Sequence, residues 1–513
     1  MSWRLRSIAL AIAGAACALP AAHAETGLIV SRTVYPTGLQ VPTITPGVTV
    51  LPNGAVAVGD GSLGNVFKNE TVDPSFGVTT GIILDRRRLD GSIISSFSPG
   101  SSVSLATSFS SKSELGLNVS QDGKFVTFMG YASGLNALDV SNSNTAFFTD
   151  PSNPVTNAAN PHPTVARAIG VFDLATGAIS STPVDAYSGN NGRGAVLANN
   201  GNFYLAGNAG NSTNSSPLAT GTVFSTLSEN TGVQMIAKGS SGSTAVVGAV
   251  NGVFGSANGY QRGFSITQLG LPADKTGKDD NFRGITVFNN TLYVSKGSGG
   301  NGVNTVYQVG SAGTLPSAAT AATTLITILP GFPSITSAGA ADTSSHPFGL
   351  WFGDASTLFV ADEGDGSRTG GASAGLAEYK LQNGMWHKAA TFANGLTNQA
   401  SYRQGLGWDI FTDGLRNLTG LKNADGSFQL WATTATTASD TAHDLGADPN
   451  ELVTITVNGD GSATPFSVLE TAVAGERIGG VAIAEVTAVP EPETYALMLV
   501  GLCLLGTLGR RRR

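Results

Sequence analysis

Three acidic side chains lie within one glycine-containing turn of this sequence. Asp362, Glu363 and Asp365 follow a predicted strand, and Gly364 between them lets the backbone wrap tightly. Carboxylate oxygens are the ligands that Ca²⁺ prefers, and a complete site needs six or more oxygens. The turn therefore indicates either a Ca²⁺ site, the one cofactor that the sequence suggests, or an ordinary solvated turn after a strand.

The histidines lack a metal-binding or catalytic pattern. No two of them stand four residues apart, which is the spacing that places two ligands on one helix face. His346 comes directly before a predicted strand, so we expect it at one end of that strand. We predict no zinc site and name no catalytic residue.

The C-terminal residues form a three-part pattern. A Pro-Glu-Pro motif is followed by an apolar stretch over residues 495–508 and then by a basic cluster. As a helix the stretch would reach only about 21 Å, which is short for a permanent membrane span, and the arginines would hold its far end in the cytoplasm. The motif residues are Pro490, Glu491 and Pro492, and the basic residues are Arg510, Arg511, Arg512 and Arg513.

This pattern resembles the PEP-CTERM protein-sorting signal of exported bacterial proteins. The resemblance implies that an exosortase-type membrane protease cleaves the tail near the motif, in a bacterium that makes exopolysaccharide. Before cleavage, the inner membrane would hold the protein only through the apolar stretch. The alternative is a plain C-terminal membrane anchor.

The N-terminal residues predict a removable secretory leader. Two arginines precede an apolar run over residues 8–18, which is too short to span a bilayer. Ala22 and Ala24 occupy the positions that a signal peptidase recognises, so we expect cleavage before Glu25. The predicted parts of the chain are a leader (residues 1–24), a body (residues 25–488) and a sorting tail (residues 489–513).

Charge and composition restrict the partners and the class of the body. The chain carries a formal charge of −7, and removal of the two ends, with six basic and two acidic residues, leaves about −11, which disfavours nucleic acid and anionic membranes. Cys17 and Cys503 both lie in those ends, so the body has no disulfide. Only 12% of residues are charged and 67 are glycine, which favours a turn-rich, all-β exported protein.

One pattern of paired hairpins recurs along the body. In residues 194–207, 284–296 and 349–362, two short apolar runs flank a tight polar turn, and a second hairpin follows after a loop. Two hairpins make four antiparallel strands, and a four-stranded unit repeated along a chain is typical of a β-propeller. Six units are clear, and a seventh between residues 239 and 273 stays open. The competing architectures are a β-helix and a β-sandwich array, and the β-helix is disfavoured because its single short rungs do not match paired hairpins.

The last apolar run of the body predicts how the propeller closes. Residues 477–485 have the pattern of an inner strand without a hairpin partner, and we expect residues 53–60 to supply that partner. The last strand would then complete the first blade and remove the exposed edges of an open sheet.

Residues 358–365, with the sequence LFVADEGD, resemble the second strand and turn of NHL-type and gluconolactonase-type propellers. Because propellers host many functions, two hypotheses remain. The first is a non-catalytic surface or matrix protein associated with exopolysaccharide. The second is an extracellular enzyme of the gluconolactonase or lyase type, in which acidic residues and histidines, or a metal, would converge at one end of the central channel.

Overall fold

A computed structural model of the protein describes the greater part of the body. The described residues are 24–34, 48, 79–109, 111, 114–135, 137, 140–145, 164–209, 231–239, 249–250, 262–263, 265–267, 281–297, 303–321, 324–333, 345–367, 371–396, 401–405, 407–439, 446 and 448–487. Within these ranges the protein consists of β-strands and one short 3₁₀-helix, Val140–Asn142.

The strands are numbered along the chain. The first fourteen are β1 (Ala24–Val34), β2 (Thr79–Thr80), β3 (Ile82–Arg87), β4 (Ile93–Phe97), β5 (Thr107–Ser108), β6 (Asn118–Val119), β7 (Phe125–Tyr131), β8 (Arg167–Asp173), β9 (Ile179–Val184), β10 (Gly192–Leu197), β11 (Asn202–Gly207), β12 (Gly232–Ala237), β13 (Ala249–Val250) and β14 (Arg262–Gly263). The others are β15 (Ser265–Thr267), β16 (Ile285–Phe288), β17 (Thr291–Lys296), β18 (Thr305–Val309), β19 (Leu325–Ile328), β20 (Pro347–Asp354), β21 (Thr357–Asp362), β22 (Gly375–Gln382), β23 (Met385–Phe392), β24 (Ile410–Lys422), β25 (Phe428–Ala438), β26 (Glu451–Val457), β27 (Ser467–Thr471) and β28 (Glu476–Thr487).

Six sheets form the blades of a β-propeller, which confirms the predicted fold class. From the inner strand outwards, the blades are β28-β1-β3-β4, β6-β7-β8-β9, β10-β11-β12, β16-β17-β18-β19-β15, β20-β21-β22-β23 and β24-β25-β26-β27, here named blades 1 to 6. The inner strands contact one another in a ring that runs from blade 1 through blade 6 and back to blade 1. The stretch left open for a seventh unit adds no blade in the described ranges, since β13 pairs with β14 and β15 extends blade 4.

Tight turns connect the hairpins, as the sequence predicts. In blade 4, Asn289 and Asn290 both have positive φ angles, 46° and 56°, and this two-residue turn has the twist that antiparallel strands require. In blade 2, Gly123 takes a φ of 71°. Asparagine and glycine enter this left-handed region at low cost, so their positions mark the hairpin turns.

The two ends of the propeller differ. Residues at the beginnings of the inner strands, such as Asn118 and Ile285, line one axial space, and residues at their ends, such as Phe288 and Phe352, line another, so the inner strands run in the same direction. The connections after the first and third strands of each blade therefore lie at one end, which we name the turn face. The connections after the second and fourth strands lie at the other end, which we name the loop face.

The inner strands approach one another closely at the axis. A Cβ atom on Gly349 would lie 2.5 Å from the Arg416 carbonyl oxygen, and one on Gly480 would lie 2.5 Å from the Leu115 carbonyl oxygen. Any side chain at these positions would force neighbouring blades apart, so glycine allows the blades to meet. The result is a narrow axial channel.

The first and last strands of the propeller pair with each other in blade 1. β1 and β28 are antiparallel along their whole lengths, from Ala24 opposite Thr487 to Val34 opposite Glu476. The last strand therefore completes the first blade, but residues 24–34 pair with it in the place expected for residues 53–60. Residues 53–60 lie outside the described ranges. Both faces of β1 are buried and carry apolar side chains, so this strand lacks the alternation of apolar and polar residues by which half-buried strands are predicted.

An ion network stabilises this closing blade. The fully buried Asp85 carboxylate lies 2.7 Å from both the Arg32 Nε and an Arg87 guanidinium nitrogen. Arg32 also contacts Glu476 at 2.8 Å, and Arg87 contacts Glu470 of blade 6. Burial alone would raise the pKa of Asp85, but the bonds from Arg32, Ser96 and Arg87 outweigh burial and lower the pKa. The network joins β1, β3, β28 and the neighbouring blade.

We predict that Asp85→Ala lowers the free energy of unfolding by about 3–5 kcal/mol, because it leaves the buried Arg87 and the half-buried Arg32 without their shared carboxylate. Urea denaturation followed by tryptophan fluorescence measures the change. The control is Asp90→Ala in the exposed turn that follows β3, where a much smaller loss is expected. Equal losses for the two variants would mean that the network does not stabilise the closing blade.

Candidate functional site

The predicted acidic turn lies at the loop face between β21 and β22. Asp362 is the last residue of β21, only 3% exposed, and its carboxylate accepts three protein hydrogen bonds. The donors are the backbone N–H of His346 at 2.7 Å, the backbone N–H of Gly364 at 3.0 Å and the Ser373 hydroxyl at 3.2 Å. Asp362 therefore joins the beginning of β20 to both ends of the turn.

The other two predicted carboxylates have different environments. Glu363 lies 3.1 Å from the Nε of Arg416 on β24 of blade 6. Asp365 is exposed, and its carboxylate accepts the backbone N–H of Ser367 at 2.9 Å. A hydrogen bond from the Ser367 side chain and this backbone bond lower the pKa of Asp365. The turn thus carries one exposed carboxylate and one paired with an arginine of the next blade.

The structure adds a fourth carboxyl group that the sequence analysis missed. Asp413, on β24, is 5% exposed, and its Oδ2 accepts the backbone N–H of Gly366 at 3.0 Å. Its Oδ1 has no hydrogen-bond partner among the described residues. Burial, together with the negative charges of Glu363 and Asp365, raises the pKa of Asp413 to about 7 despite the bond from Gly366 and the charge of Arg416. A charged residue at a buried strand position was the only signal in the sequence.

Asp362, Glu363 and Asp365 do not form a closed cage of oxygens. In the described parts of the chain no group of three or more His, Cys, Asp or Glu side chains is arranged to hold a metal ion. Calcium binding at the turn stays a prediction. A variant that tests it should change the exposed Asp365, since loss of Asp362 would disrupt the turn whether or not calcium binds.

The axial channel is lined by basic and amide side chains at its loop-face end. Asn118, Arg193, Arg283 and Asn417 surround a space of about 20 Å³, enough for a single water molecule. The guanidinium of Arg193 donates to the Phe282 carbonyl at 3.2 Å. Towards the turn face the channel widens to about 210 Å³, and apolar side chains form most of its lining. No acidic or histidine side chain lines either described space.

A larger groove opens at the loop face between blades 1 and 2. Its volume is about 670 Å³, and we name it the serine groove. Its polar side chains are Ser98, Ser101, Ser102, Ser104 and Ser133, and its apolar ones include Val34, Ile82, Leu105 and Leu135. No charged side chain is present among the described residues that line it. The lining therefore offers hydroxyl groups and apolar surface to a neutral ligand.

Residues 488–513 match the family model described as the PEP-CTERM protein-sorting motif. The chain carries a PEP-CTERM sorting tail. This motif implies processing by an exosortase-type system, export and localisation at the cell surface. The tail residues Pro490 to Pro492 and Arg510 to Arg513 lie outside the described ranges, and so does Ala22 of the leader. Glu25 is the second residue of β1, and cleavage before it stays a prediction.

Comparisons with other proteins add no argument about function. No curated protein matches the chain in sequence. A functionally unknown protein from Desulfotomaculum acetoxidans is similar over 90% of this chain and 100% of its own, with 12% identity and a TM-score of 0.33. A hypothetical selenium-binding protein from Sulfolobus tokodaii matches over 92% and 98%, with 9% identity and a TM-score of 0.37. The Niastella koreensis GH74 enzyme matches over 75% and 43%, with 12% identity and a TM-score of 0.33.

The described residues also contain no helix long and apolar enough to cross a membrane.

We predict that Asp413→Asn removes a pH dependence of stability. The pKa of Asp413 is raised above its ordinary value, so its favourable contribution is complete in acid and is lost as the pH rises through about 7. The free energy of unfolding of the variant, taken relative to that of the parent, should therefore rise by about 1–3 kcal/mol between pH 5 and pH 8. Urea denaturation across this range measures the difference, with Asp460→Asn in the exposed turn after β26 as control. If the free energies of unfolding of the parent and of Asp413→Asn change with pH in parallel, the raised pKa of Asp413 is contradicted.

Proposed function

We propose that the protein is a non-catalytic propeller that is displayed at the cell surface and associates with exopolysaccharide. The observation that carries the proposal is the uncharged serine groove, about 670 Å³ in volume. Sugars present hydroxyl groups at their edges and apolar C–H faces, and a groove that combines serine hydroxyls with aliphatic side chains matches both. The absence of charged side chains among the described lining residues favours a neutral stretch of polysaccharide.

The axial channel supports the non-catalytic part of the proposal. At the loop-face end of the channel, a space of about 20 Å³ is too small for a sugar ring, so a substrate could not bind at that end. Arg193 at the loop-face end already donates hydrogen bonds within the protein, which indicates a structural role. Binding at the propeller's periphery fits these observations better than turnover at its axis.

The proposed route to the surface has two proteolytic steps. A signal peptidase removes the leader before Glu25, and the apolar stretch of residues 495–508 then holds the protein transiently in the inner membrane. An exosortase-type protease cleaves near Pro490 and releases or transfers the body. This order places the folded propeller outside the cytoplasm before the second cleavage.

We expect intact-mass spectrometry to find a body that begins at Glu25 and ends near Pro490 in cells that contain the exosortase. In the same host without the exosortase, the mass should include the tail with its four arginines. The comparison separates sorting from simple export. An unchanged mass in the two hosts would contradict exosortase processing and favour a C-terminal anchor.

We expect the processed body to co-sediment with the host's own exopolysaccharide and Ser102→Trp to weaken this binding at least about tenfold, because the indole would fill the groove. Ser311→Trp is the matched control, since it places the same indole on an exposed turn of blade 4. Equal binding of both variants would remove the serine groove from the proposal. No binding by the parent would contradict the association itself.

The alternative function, an extracellular enzyme of the gluconolactonase or lyase type, is favoured by one observation. Asp413, with a pKa of about 7, lies beside the arginine-paired Glu363, and a carboxyl group that exchanges its proton near neutral pH can act as a general acid or base. This reading requires turnover of a lactone or a uronate polymer by the parent. It also requires that Asp413→Asn abolishes turnover without lowering the melting temperature.

A further inference from the structure

The two processing sites meet at one point on the propeller. Ala24, the residue before the expected leader cleavage, stands opposite Thr487 in the pairing of β1 with β28. In the five other blades a tight turn joins the inner strand to the second strand at the corresponding position. In blade 1 no turn joins β28 to β1, and the leader and the tail both leave from this position. It lies at the turn face, beside the axis.

Most connections at the turn face are short turns of one kind, but residues 238–264 between β12 and β15 and residues 310–324 between β18 and β19 are longer connections there. In six of its turns an aspartate carboxylate accepts the backbone N–H of the residue two positions later. These aspartates are Asp90, Asp122, Asp173, Asp354, Asp425 and Asp460. The same bond holds each turn close to the strands that it joins, so no long segment projects from this end at those turns.

Most connections at the loop face are longer than these six turns. The connection between β21 and β22 covers residues 363–374, whereas the turn between β24 and β25 on the opposite face covers only residues 423–427. The serine groove and the Asp413 carboxyl group both lie at the loop face. The two faces thus separate the attachment point of the tail from the groups able to bind a ligand.

The spacing between β28 and the sorting motif is short. Pro490 follows Thr487 by three residues, which span at most about 10 Å even when extended. The apolar stretch begins eight residues after Thr487, so its first residue lies within about 28 Å of the strand end. A membrane that holds this stretch must lie close to the end of β28.

We propose that the unprocessed protein stands on the inner membrane with its turn face towards the bilayer, and that its loop face is the surface displayed to partners. The proposal rests on the proposed membrane attachment through the tail. The partner at the turn face is the bilayer that contains the exosortase, and the protease must act within about 10 Å of the closed propeller. The aspartates of the turn face do not attract anionic lipid, so we expect the body to leave the bilayer once the tail is cleaved.

The body contains no cysteine, which allows a direct test with single labels. In a Cys503→Ser background, Ala424→Cys places a thiol in the β24–β25 turn at the turn face. Ala372→Cys places one in the β21–β22 loop at the loop face. Both alanines are exposed and lie in neighbouring blades, so the variants form a matched pair.

The experiment uses the full chain with its tail, purified from a host without the exosortase and inserted into phosphatidylethanolamine and phosphatidylglycerol vesicles. A fluorophore on each cysteine is quenched by lipids with a nitroxide headgroup, which act only at contact. We expect quenching of the Ala424→Cys probe to exceed that of the Ala372→Cys probe by about threefold or more, because eight strand residues separate the faces by roughly 26 Å. The body without its tail should lose this quenching.

Equal quenching of the two probes, or stronger quenching at Ala372→Cys, would overturn the proposed orientation while leaving membrane attachment intact. Absence of quenching at both sites, with the chain found apart from the vesicles, would overturn the attachment through the tail and the orientation together. The two failures are therefore distinguishable in one experiment.

Discussion

The pairing of β1 with β28 is the interaction on which the remaining structure depends. It joins residues from opposite ends of the body, so the entropic cost of bringing these two strands together is larger than for any other described strand pair of the propeller. Burial of apolar side chains such as Leu28, Val30 and Val481 offsets part of this cost. The Asp85 ion network adds an electrostatic condition, because arginines brought into a buried site are tolerated only when their carboxylate partners arrive with them.

This closure also determines how the two faces are used. The chain ends of the propeller occupy one position at the turn face, where six of the other connections are short turns, whereas connections such as residues 132–166 and 363–374 lie at the loop face. Buried polar side chains hold these longer connections in place. Arg167, fully buried, donates to the carbonyl groups of Val165, Ser141 and Ser143 at 2.7–3.0 Å. Burial lowers its pKa to about 10, so the guanidinium keeps its charge at neutral pH.

The carboxyl groups at the boundary of blades 5 and 6 illustrate how environment separates similar residues. Asp362 accepts three hydrogen bonds and organises the turn around it. Asp413 accepts one and faces two negative side chains, so it binds a proton near neutral pH. The difference comes from the number of donors that reach each carboxylate and from the charges around it, and both depend on how two blades pack.

The sequence alone determined the all-β class, the paired hairpins, a minimum of six blades and the sorting tail, because turn residues, strand periodicity and the Pro-Glu-Pro motif are local signals. It also located Asp362, Glu363 and Asp365 in one turn. It did not determine that the buried Asp362 carboxylate orders the turn through its hydrogen bonds, that Asp413 packs beside this turn, or that residues 24–34 close the ring of blades. Those features depend on contacts between residues far apart in the chain, and a local pattern carries no information about which distant strand or carboxyl group will pack beside it.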